Sequence, residues 1–435
     1  MSRSSEQELK KDLGIWDVIT NVLSISIGSG IFLLPALVYV ILGHGSIVAY
    51  IACGLIFLAL GLCFGEVSSR IDDTGGVYVY IERAFGPLAG FVANILYWFG
   101  VSTLACAALL NAMADIASTA FPAFEEFGAR FILFTVVLGV ISFLSYRGIK
   151  NGMTLIKILT GVKVIAILAL VIFGISSVNL ENISWQGFPE FPKIGEASLL
   201  LIFAFLGGEL SLVSTGEMKN PKRTAPMGFV IGIIGVVFIF CCLHLVVQGV
   251  LGDQLIENQE APLAELAKNI AGDSAFLLLL AVSFIAVWST LSSIFVMKTR
   301  VLYAGSADGL TPSIFSRLHP KYKTPVVAIS FLTILDLILA ASGSFRYLLV
   351  MVTVASIFIY LGVVLAFFKF RLIKKNEDQN LFKAPLGYFV GTFAFISLIW
   401  ILMQSSSEEL WASAIFITVL ILLYFIGNFV RKRIS

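Results

Sequence analysis

Hydrophobic residues in this chain fall into about twelve long runs separated by short polar segments, and most runs approach or exceed the roughly 20 residues that a helix needs to cross a bilayer. The loops between the runs are too short to hold a soluble domain. The pattern therefore predicts an all-α integral membrane protein with about twelve transmembrane helices. The runs lie near residues 14–42, 46–68, 87–120, 131–146, 154–176, 196–217, 226–250, 275–303, 325–342, 345–370, 386–403 and 410–430.

Two of these runs are interrupted by glycine at a similar depth. The first contains the triplet Gly-Ser-Gly at 28–30, and the sixth contains Gly207 and Gly208, followed at once by Glu209. Glycine weakens a helix by roughly 1 kcal/mol relative to alanine, and lipid offers no water to a freed backbone group. Paired breaks of this kind indicate a transporter's substrate site. The alternative is that these glycines only allow close helix packing.

The distribution of basic residues predicts the orientation in the membrane. Lysine and arginine precede the first run, follow the sixth, eighth and tenth, and close the chain, whereas the alternate loops are acidic. Because cytoplasmic loops carry an excess of Lys and Arg, both termini are predicted to be cytoplasmic. An even number of spans agrees with this orientation.

In this orientation the first run crosses outward and the sixth inward, so runs 1–5 and 6–10 form two units of opposite topology. The predicted organisation has five parts: a cytoplasmic N-terminus (1–13), a first repeat (14–176), a second repeat (196–370), two further helices (386–430) and a cytoplasmic basic tail (431–435). The last two helices are expected to serve either dimerisation or support of the repeats. A homodimer is one of these two interpretations.

Composition excludes several classes of function. Hydrophobic residues make up 58% of the 435 residues and charged residues 13%, where soluble domains have about 25% charged residues. A net charge of +2 gives no basis for nucleic-acid binding. The five cysteines and three histidines lack metal-ligand spacing, so no metal and no cofactor are expected. An enzyme would need converging His, Asp or Cys residues within the spans, and such converging sets are nearly absent from the sequence. A channel would show a repeated pore motif or rings of charge, which the two broken helices lack.

A set of short motifs resembles the amino acid–polyamine–organocation (APC) transporter superfamily, and bacterial amino acid permeases in particular. The motifs are residues 27–32 with Pro35, 74–80, 84–87, 203–209, 216–223, 300–303, 308–310 and Pro312. They cover runs 1 to 9 in the family's order and spacing. The resemblance implies a 5+5 inverted repeat of the LeuT type with helices 1 and 6 broken. It also implies alternating access and an amino acid or amine as substrate.

Backbone groups at the two breaks suit a zwitterionic amino acid without reference to the family. A half-helix that restarts presents unpaired N–H groups with partial positive charge, and a half-helix that stops presents carbonyl groups with partial negative charge. The glycines permit close approach of the substrate. Candidates for the carboxylate are the amides of Ser29, Gly30 and Ile31; candidates for the ammonium are the carbonyls of Leu23, Ile25, Ser26, Ile27, Phe203 and Ala204; the glycines that give access are Gly28, Gly30, Gly207 and Gly208.

Two lysines lie in the fifth run. Lys157 is about 10 Å from the cytoplasmic start of its helix, close enough for its stem to reach the headgroups. Lys163 lies nearer mid-span, where an ionisable residue indicates function by default. In the resemblance, Gly148 and Lys163 match the fifth-helix pattern, whose lysine occupies the sodium position of sodium-coupled relatives. Lys163 would then tie spans one, five and eight, either as a group that releases a proton, since burial disfavours its charge, or as a permanently charged strut.

Glu209 and three aromatic residues are further candidates. Glu209 is expected to brace the second break, with a proton relay or a substrate contact as alternatives. Tyr97 and Trp98 in the third run, and Phe203 in the sixth, match positions where relatives close the pocket with aromatic rings. Because aromatic side chains in membrane helices often only pack or anchor at interfaces, gating stays one of two interpretations.

Two departures from the family pattern affect the predicted substrate and site. Ile294 stands where arginine exchangers of the family carry a tryptophan, and Ser24 stands where the family often has glycine. An apolar wall without an acidic partner favours a neutral substrate. The sequence therefore predicts a sodium-independent, proton-coupled transporter of neutral L-amino acids in the cell membrane. The alternatives are an exchanger, a polyamine or cationic amino acid permease, a sodium symporter and a channel.

Overall fold

The computed structural model describes residues 13–71, 76–147, 149–184, 187–259, 261–343, 345–373 and 381–434. Within these ranges the regular elements are helices, and the β contact is one isolated bridge between Leu13 and Met218. The prediction of an all-helical protein is confirmed. Four parts of the predicted pattern lie outside the described residues: the basic residues before position 13, Thr74 with Gly75, Gly148, and Lys374 with Lys375.

Long helices follow the hydrophobic runs, and short ones fill the loops. The α-helices are α1 (Ile15–Ser26), α2 (Ser29–Leu42), α3 (Ile47–Arg70), α4 (Val77–Phe85), α5 (Pro87–Ile95), α6 (Leu104–Ala120), α7 (Phe127–Arg147), α8 (Ile149–Gly174), α9 (Leu180–Ile183), α10 (Phe191–Phe205), α11 (Pro221–Leu251), α12 (Gln254–Glu257), α13 (Pro262–Ala271), α14 (Asp273–Ala307), α15 (Val326–Ser342), α16 (Phe345–Leu372), α17 (Tyr388–Leu402) and α18 (Ser407–Ile434).

Among the described residues, eight helices are long and apolar enough to cross a membrane, with α5, α6 and the π-helical segment between them (Leu96–Thr103) counted as one. The count is nine when α1 and α2 are taken as one bent span. Two shorter apolar helices, α15 and α17, coincide with the ninth and eleventh predicted runs. A full set of twelve spans stays a prediction.

The first hydrophobic run is two helices that meet at a bend of 49°. Between them, the Gly28 N–H donates to the Ser26 carbonyl at 2.9 Å, although a continuing α-helix would direct it to the Ser24 carbonyl. The Ser24 carbonyl therefore loses its helical donor. This local change creates a polar acceptor inside an apolar run.

The sixth hydrophobic run also changes conformation part-way. After α10 ends, Gly207 adopts the left-handed region with φ of 91°, which glycine enters without the Cβ penalty of other residues. The chain then continues as a ten-residue 3₁₀ helix, Gly208–Glu217. Such helices rarely exceed four residues, and long ones often mark a hinge.

The two interrupted runs lie side by side in opposite directions. The Lys219 N–H, just after the 3₁₀ helix, donates to the carbonyl of Leu13, just before α1, at 3.1 Å. Helix α1 also packs against α8, α11 and α14, and α10 packs against α2 and α3. The breaks are thereby enclosed by other helices, which shields their backbone groups from lipid.

Candidate functional site

A small cavity lies between the two breaks. Ser26, Gly28 and Gly30 line it from the first break, and Ala204 and Gly207 line it from the second. The cavity volume is about 30 Å³, room for about two water molecules. A molecule as large as an amino acid therefore fits only after the surrounding helices move apart.

The rest of the cavity wall is almost entirely apolar. Ser102 and Thr290 also line it, but each hydroxyl donates to a backbone carbonyl, Ser102 at 2.8 Å and Thr290 at 3.0 Å. Among the described residues no charged side chain faces this space. The apolar lining consists of Ile25, Val101, Ala105, Leu109, Leu206, Leu210, Ile294 and Val352.

Helix α2 begins at this cavity without a side-chain cap. Its N-cap residue is Gly28, which has no side chain to accept a bond from the first turn. The first N–H groups of a helix have no acceptor within it and carry partial positive charge. Because Gly28 and Gly30 both line the cavity, the start of α2 is suited to a carboxylate.

Close packing and cavity lining both depend on the same glycines. A Cβ at Gly30 would lie 2.9 Å from the Cα of Ala204, and one at Gly28 would lie 3.1 Å from the Thr290 side chain. The first distance is too short for any side chain. The glycines therefore allow α2 to meet α10, and they also leave backbone groups open to the cavity.

Lys163 joins three helices at the first break. Its side chain is fully buried, and its Nζ donates to the Ser24 carbonyl at 2.5 Å, the Ile27 carbonyl at 2.7 Å and Thr290 Oγ1 at 3.1 Å. An ammonium group has three N–H donors, and these three contacts use all of them. The positive charge lies at the carbonyl end of α1, where the helix dipole is negative.

Ser24 contributes a second link between the same helices. Its hydroxyl lies 3.2 Å from the hydroxyl of Ser293 on α14. The departure from the family's glycine thus adds a side-chain contact to α14, and its carbonyl still binds Lys163.

Lys157, six residues before Lys163, has different surroundings. It is half-exposed and forms an ion pair with Asp17, which also accepts from the Gly14 N–H at 2.9 Å. Lys157 therefore contacts the start of α1 near the surface. Exposed pairs of this kind contribute at most about 1 kcal/mol.

Glu209 is buried at the second break. Its Oε2 accepts from the Gly207 N–H at 3.1 Å and from the Tyr360 hydroxyl on α16 at 2.8 Å. In a continuing helix the Gly207 N–H would bond to the Phe203 carbonyl, so the carboxylate replaces that acceptor. Its Oε1 has no partner within the described part of the chain. Glu209 thus braces the break and links it to α16.

The three proposed gate residues are placed differently from one another. Tyr97 is fully buried, and Trp98 packs against Phe331 of α15 with ring centroids 6.1 Å apart. Neither lines the cavity. The Phe203 side chain lies outside the described residues, so its predicted gating stays a prediction.

A π-helix in the third run was not predicted from the sequence. It spans Leu96–Thr103, and the side-chain hydroxyls of Ser102 and Thr103 donate to the carbonyls of Tyr97 and Trp98 at 2.8 and 2.6 Å. Such π segments are rare and often occur at functional sites. Here the segment directs Ser102 to the cavity. The adjacent Ser and Thr in an apolar run are the only sequence signal.

A buried ion pair was also missed. Lys298 on α14 and Asp336 on α15 are both fully buried and in direct contact. Each lies in an apolar run, which is itself a signal, because ionisable residues inside membrane helices are rare and functional by default.

Helices broken beside a small cavity, in a chain with at least eight possible membrane spans, indicate a multi-pass membrane transporter. The chain belongs to the amino acid permease family, whose model matches residues 13–425. This confirms the APC assignment made from the motifs.

Three relatives illustrate the range of this family. The chain is 25% identical to the branched-chain amino acid permease BcaP of Bacillus subtilis over 92% of this chain and 90% of that protein. It is 27% identical to the serine/threonine exchanger SteT of the same organism, over 92% of both chains. It is 25% identical to the Bacillus subtilis methylthioribose transporter, over 98% of this chain and 95% of that protein. These relatives are transporters rather than enzymes, and they differ in substrate.

The first prediction concerns Gly30. Replacing Gly30 with leucine should abolish substrate binding and uptake, because the new side chain would overlap Ala204 and fill the space at the start of α2. Binding is measured by thermal shift on the purified protein, and uptake is measured in proteoliposomes.

Gly139 on α7 provides the matched control. A Cβ there meets no atom within 4 Å, so Gly139→Leu should retain expression, binding and uptake. Wild-type binding by Gly30→Leu would show that the start of α2 does not hold substrate.

Proposed function

We propose that this protein is a secondary active transporter of neutral L-amino acids that works by alternating access without sodium. The observation that carries this proposal is the cavity, which has backbone helix ends on one side and an apolar wall on the other. A zwitterion with an uncharged side chain matches both halves of that surface. Family membership supports an amino acid as the substrate class.

The backbone supplies partners for both charged groups of an amino acid. The carboxylate binds the amides of Ser29, Gly30 and Ile31 at the positive start of α2. The ammonium binds carbonyls at the end of α10, with Phe203 favoured because Glu209 has taken its helical donor. The Ile27 carbonyl already accepts from Lys163, which leaves it less available to substrate.

The apolar wall selects a neutral side chain. Burial of an unpaired charge against Leu109, Ile294 and Val352 would cost several kcal/mol. Two relatives are named for branched-chain amino acids and for serine and threonine, all with uncharged side chains. A cationic substrate would need an acidic partner, and the described wall has none.

Lys163 supports sodium independence. Its ammonium makes the contacts with backbone carbonyls and a threonine hydroxyl that a hard cation such as sodium would make through oxygen ligands. A fixed positive charge at this position repels a second cation. Proton coupling follows if Lys163 releases its proton during the cycle, and exchange is the alternative if it stays charged.

Alternating access requires contacts that break in turn at the two ends of the cavity. On the side assigned to the cytoplasm, Lys219 bonds to Leu13. On the opposite side, the Tyr39 hydroxyl of α2 donates to Asp253 at 2.8 Å. Both contacts are formed in this structure. The inverted repeat and the cytoplasmic termini belong to the same proposal, as does gating by Tyr97, Trp98 and Phe203.

The second prediction concerns selectivity. In competition assays on proteoliposomes, neutral amino acids should inhibit uptake at least about 100-fold more effectively than arginine, lysine or glutamate, because several kcal/mol oppose a buried unpaired charge. Equal inhibition by arginine would contradict the neutral assignment and favour the cationic permease.

The third prediction concerns coupling. Uptake by the wild type should be independent of sodium, and an inward proton gradient should drive accumulation. Lys163→Met should lose this accumulation, because no proton-binding group then connects α1, α8 and α14. Accumulation is measured with sodium and proton gradients imposed separately.

Lys157→Met is the matched control, since it removes a lysine from the same helix but only an exposed ion pair. It should retain most activity. Sodium-stimulated uptake by the wild type would support a symporter. Uptake that ignores pH but rises with internal amino acid would show exchange, and accumulation by Lys163→Met would make Lys163 a strut and Glu209 the coupling candidate.

A further inference from the structure

Lys298 and Asp336 form an ion pair that the proposed transport cycle does not use. Both side chains are fully buried, and Lys298 Nζ lies 2.5 and 2.6 Å from the two carboxylate oxygens. Removing two charges from water is so costly that apolar replacements of similar size are often as stable or more so. Stability alone therefore does not explain this pair.

The pair lies directly behind the cavity wall. Ile294, one helical turn before Lys298 on α14, lines the cavity. Cys106 on α6 lies beside Lys298, and its neighbour Ala105 also lines the cavity. Lys298 therefore lies on α14 and beside α6, the two helices that supply much of the apolar wall.

A second polar contact ties α15 to the same wall. Asn111 Nδ2 on α6 donates to the carbonyl of Ala340 at 3.0 Å. Ala340 lies one turn after Asp336, on the same face of α15. Helix α15 thus holds α14 through Asp336 and α6 through Asn111.

We propose that Lys298 and Asp336 are positioning residues for substrate selection. Rotation of α14 against α15 would separate two buried charges, which is strongly destabilising, whereas apolar side chains can pack in several arrangements. The pair fixes α14 against α15, and this sets the shape of the wall at Ile294 and Ala105. This inference rests on the proposed function, in which the substrate side chain contacts that wall.

The test compares the wild type with the double variant Lys298→Met and Asp336→Leu, which removes both charges and keeps similar volumes. Affinities for alanine, valine, leucine and phenylalanine are obtained from thermal-shift titrations of the purified protein, because a bound ligand raises apparent stability. The double variant should fold, and the ratio between its strongest and weakest affinities should change at least about tenfold. The pH dependence of binding should stay as in the wild type.

Two single variants complete the test. Asp336→Asn leaves the Lys298 ammonium buried without its counterion and should lower the yield of folded protein. Asp115→Asn breaks the half-exposed pair with Arg130, 2.7 Å long at the start of α7, and should leave the affinity ratios unchanged.

Each other outcome has a distinct meaning. Unchanged affinity ratios in the double variant would overturn the positioning role. A shifted pH profile would identify the pair as a proton-binding site instead, and failure of the double variant to fold would identify it as a folding requirement. If none of the four amino acids binds the wild type, the proposed function fails and this inference fails with it.

Discussion

The carbonyl groups at the end of α1 have lost their helical donors inside the membrane, and the arrangement of the site depends on how they are satisfied. A buried unsatisfied carbonyl costs about 1–3 kcal/mol, and lipid offers no replacement donor. Lys163 donates hydrogen bonds to the carbonyls of Ser24 and Ile27, and Thr290 Oγ1 accepts its third. The break in the first run is stable because a lysine on α8 and a hydroxyl on α14 meet there.

Because Lys163 satisfies the carbonyls at the end of α1, the chain can stop that helix and start α2 with uncapped N–H groups. Gly28 and Gly30 keep that start free of side chains, and the Ala204 contact brings α10 against it. Glu209 performs the corresponding task at the second break. There a carboxylate satisfies a backbone donor, whereas at the first break the Lys163 ammonium satisfies backbone acceptors. Opposite charges thus stabilise opposite kinds of backbone group, and the cavity lies between the two breaks.

Much of this arrangement is visible in the sequence, because hydrophobic runs, glycine pairs and isolated charges are local features. The runs anticipated the helices, and the family motifs anticipated the family. The sequence placed Lys163 near mid-span, and in the structure its Nζ contacts the Ser24 carbonyl and Thr290 Oγ1. Long-range partners were harder to predict: Tyr360 reaches Glu209 across 151 positions. The π segment at Leu96–Thr103 was not predicted from the sequence either. Lys298 and Asp336 were detectable as intramembrane charges, but only the fold shows that they meet.

Hydrogen exchange at the first break tests the central role of Lys163 most directly. Amide exchange is compared between the wild type and Lys163→Met, with peptides that cover residues 22–31 and, as a reference, α7. If Lys163 stabilises the broken helix, exchange over residues 22–31 should become faster in the variant because local opening costs less, while α7 stays unchanged. Equal protection of residues 22–31 in both proteins would contradict the account.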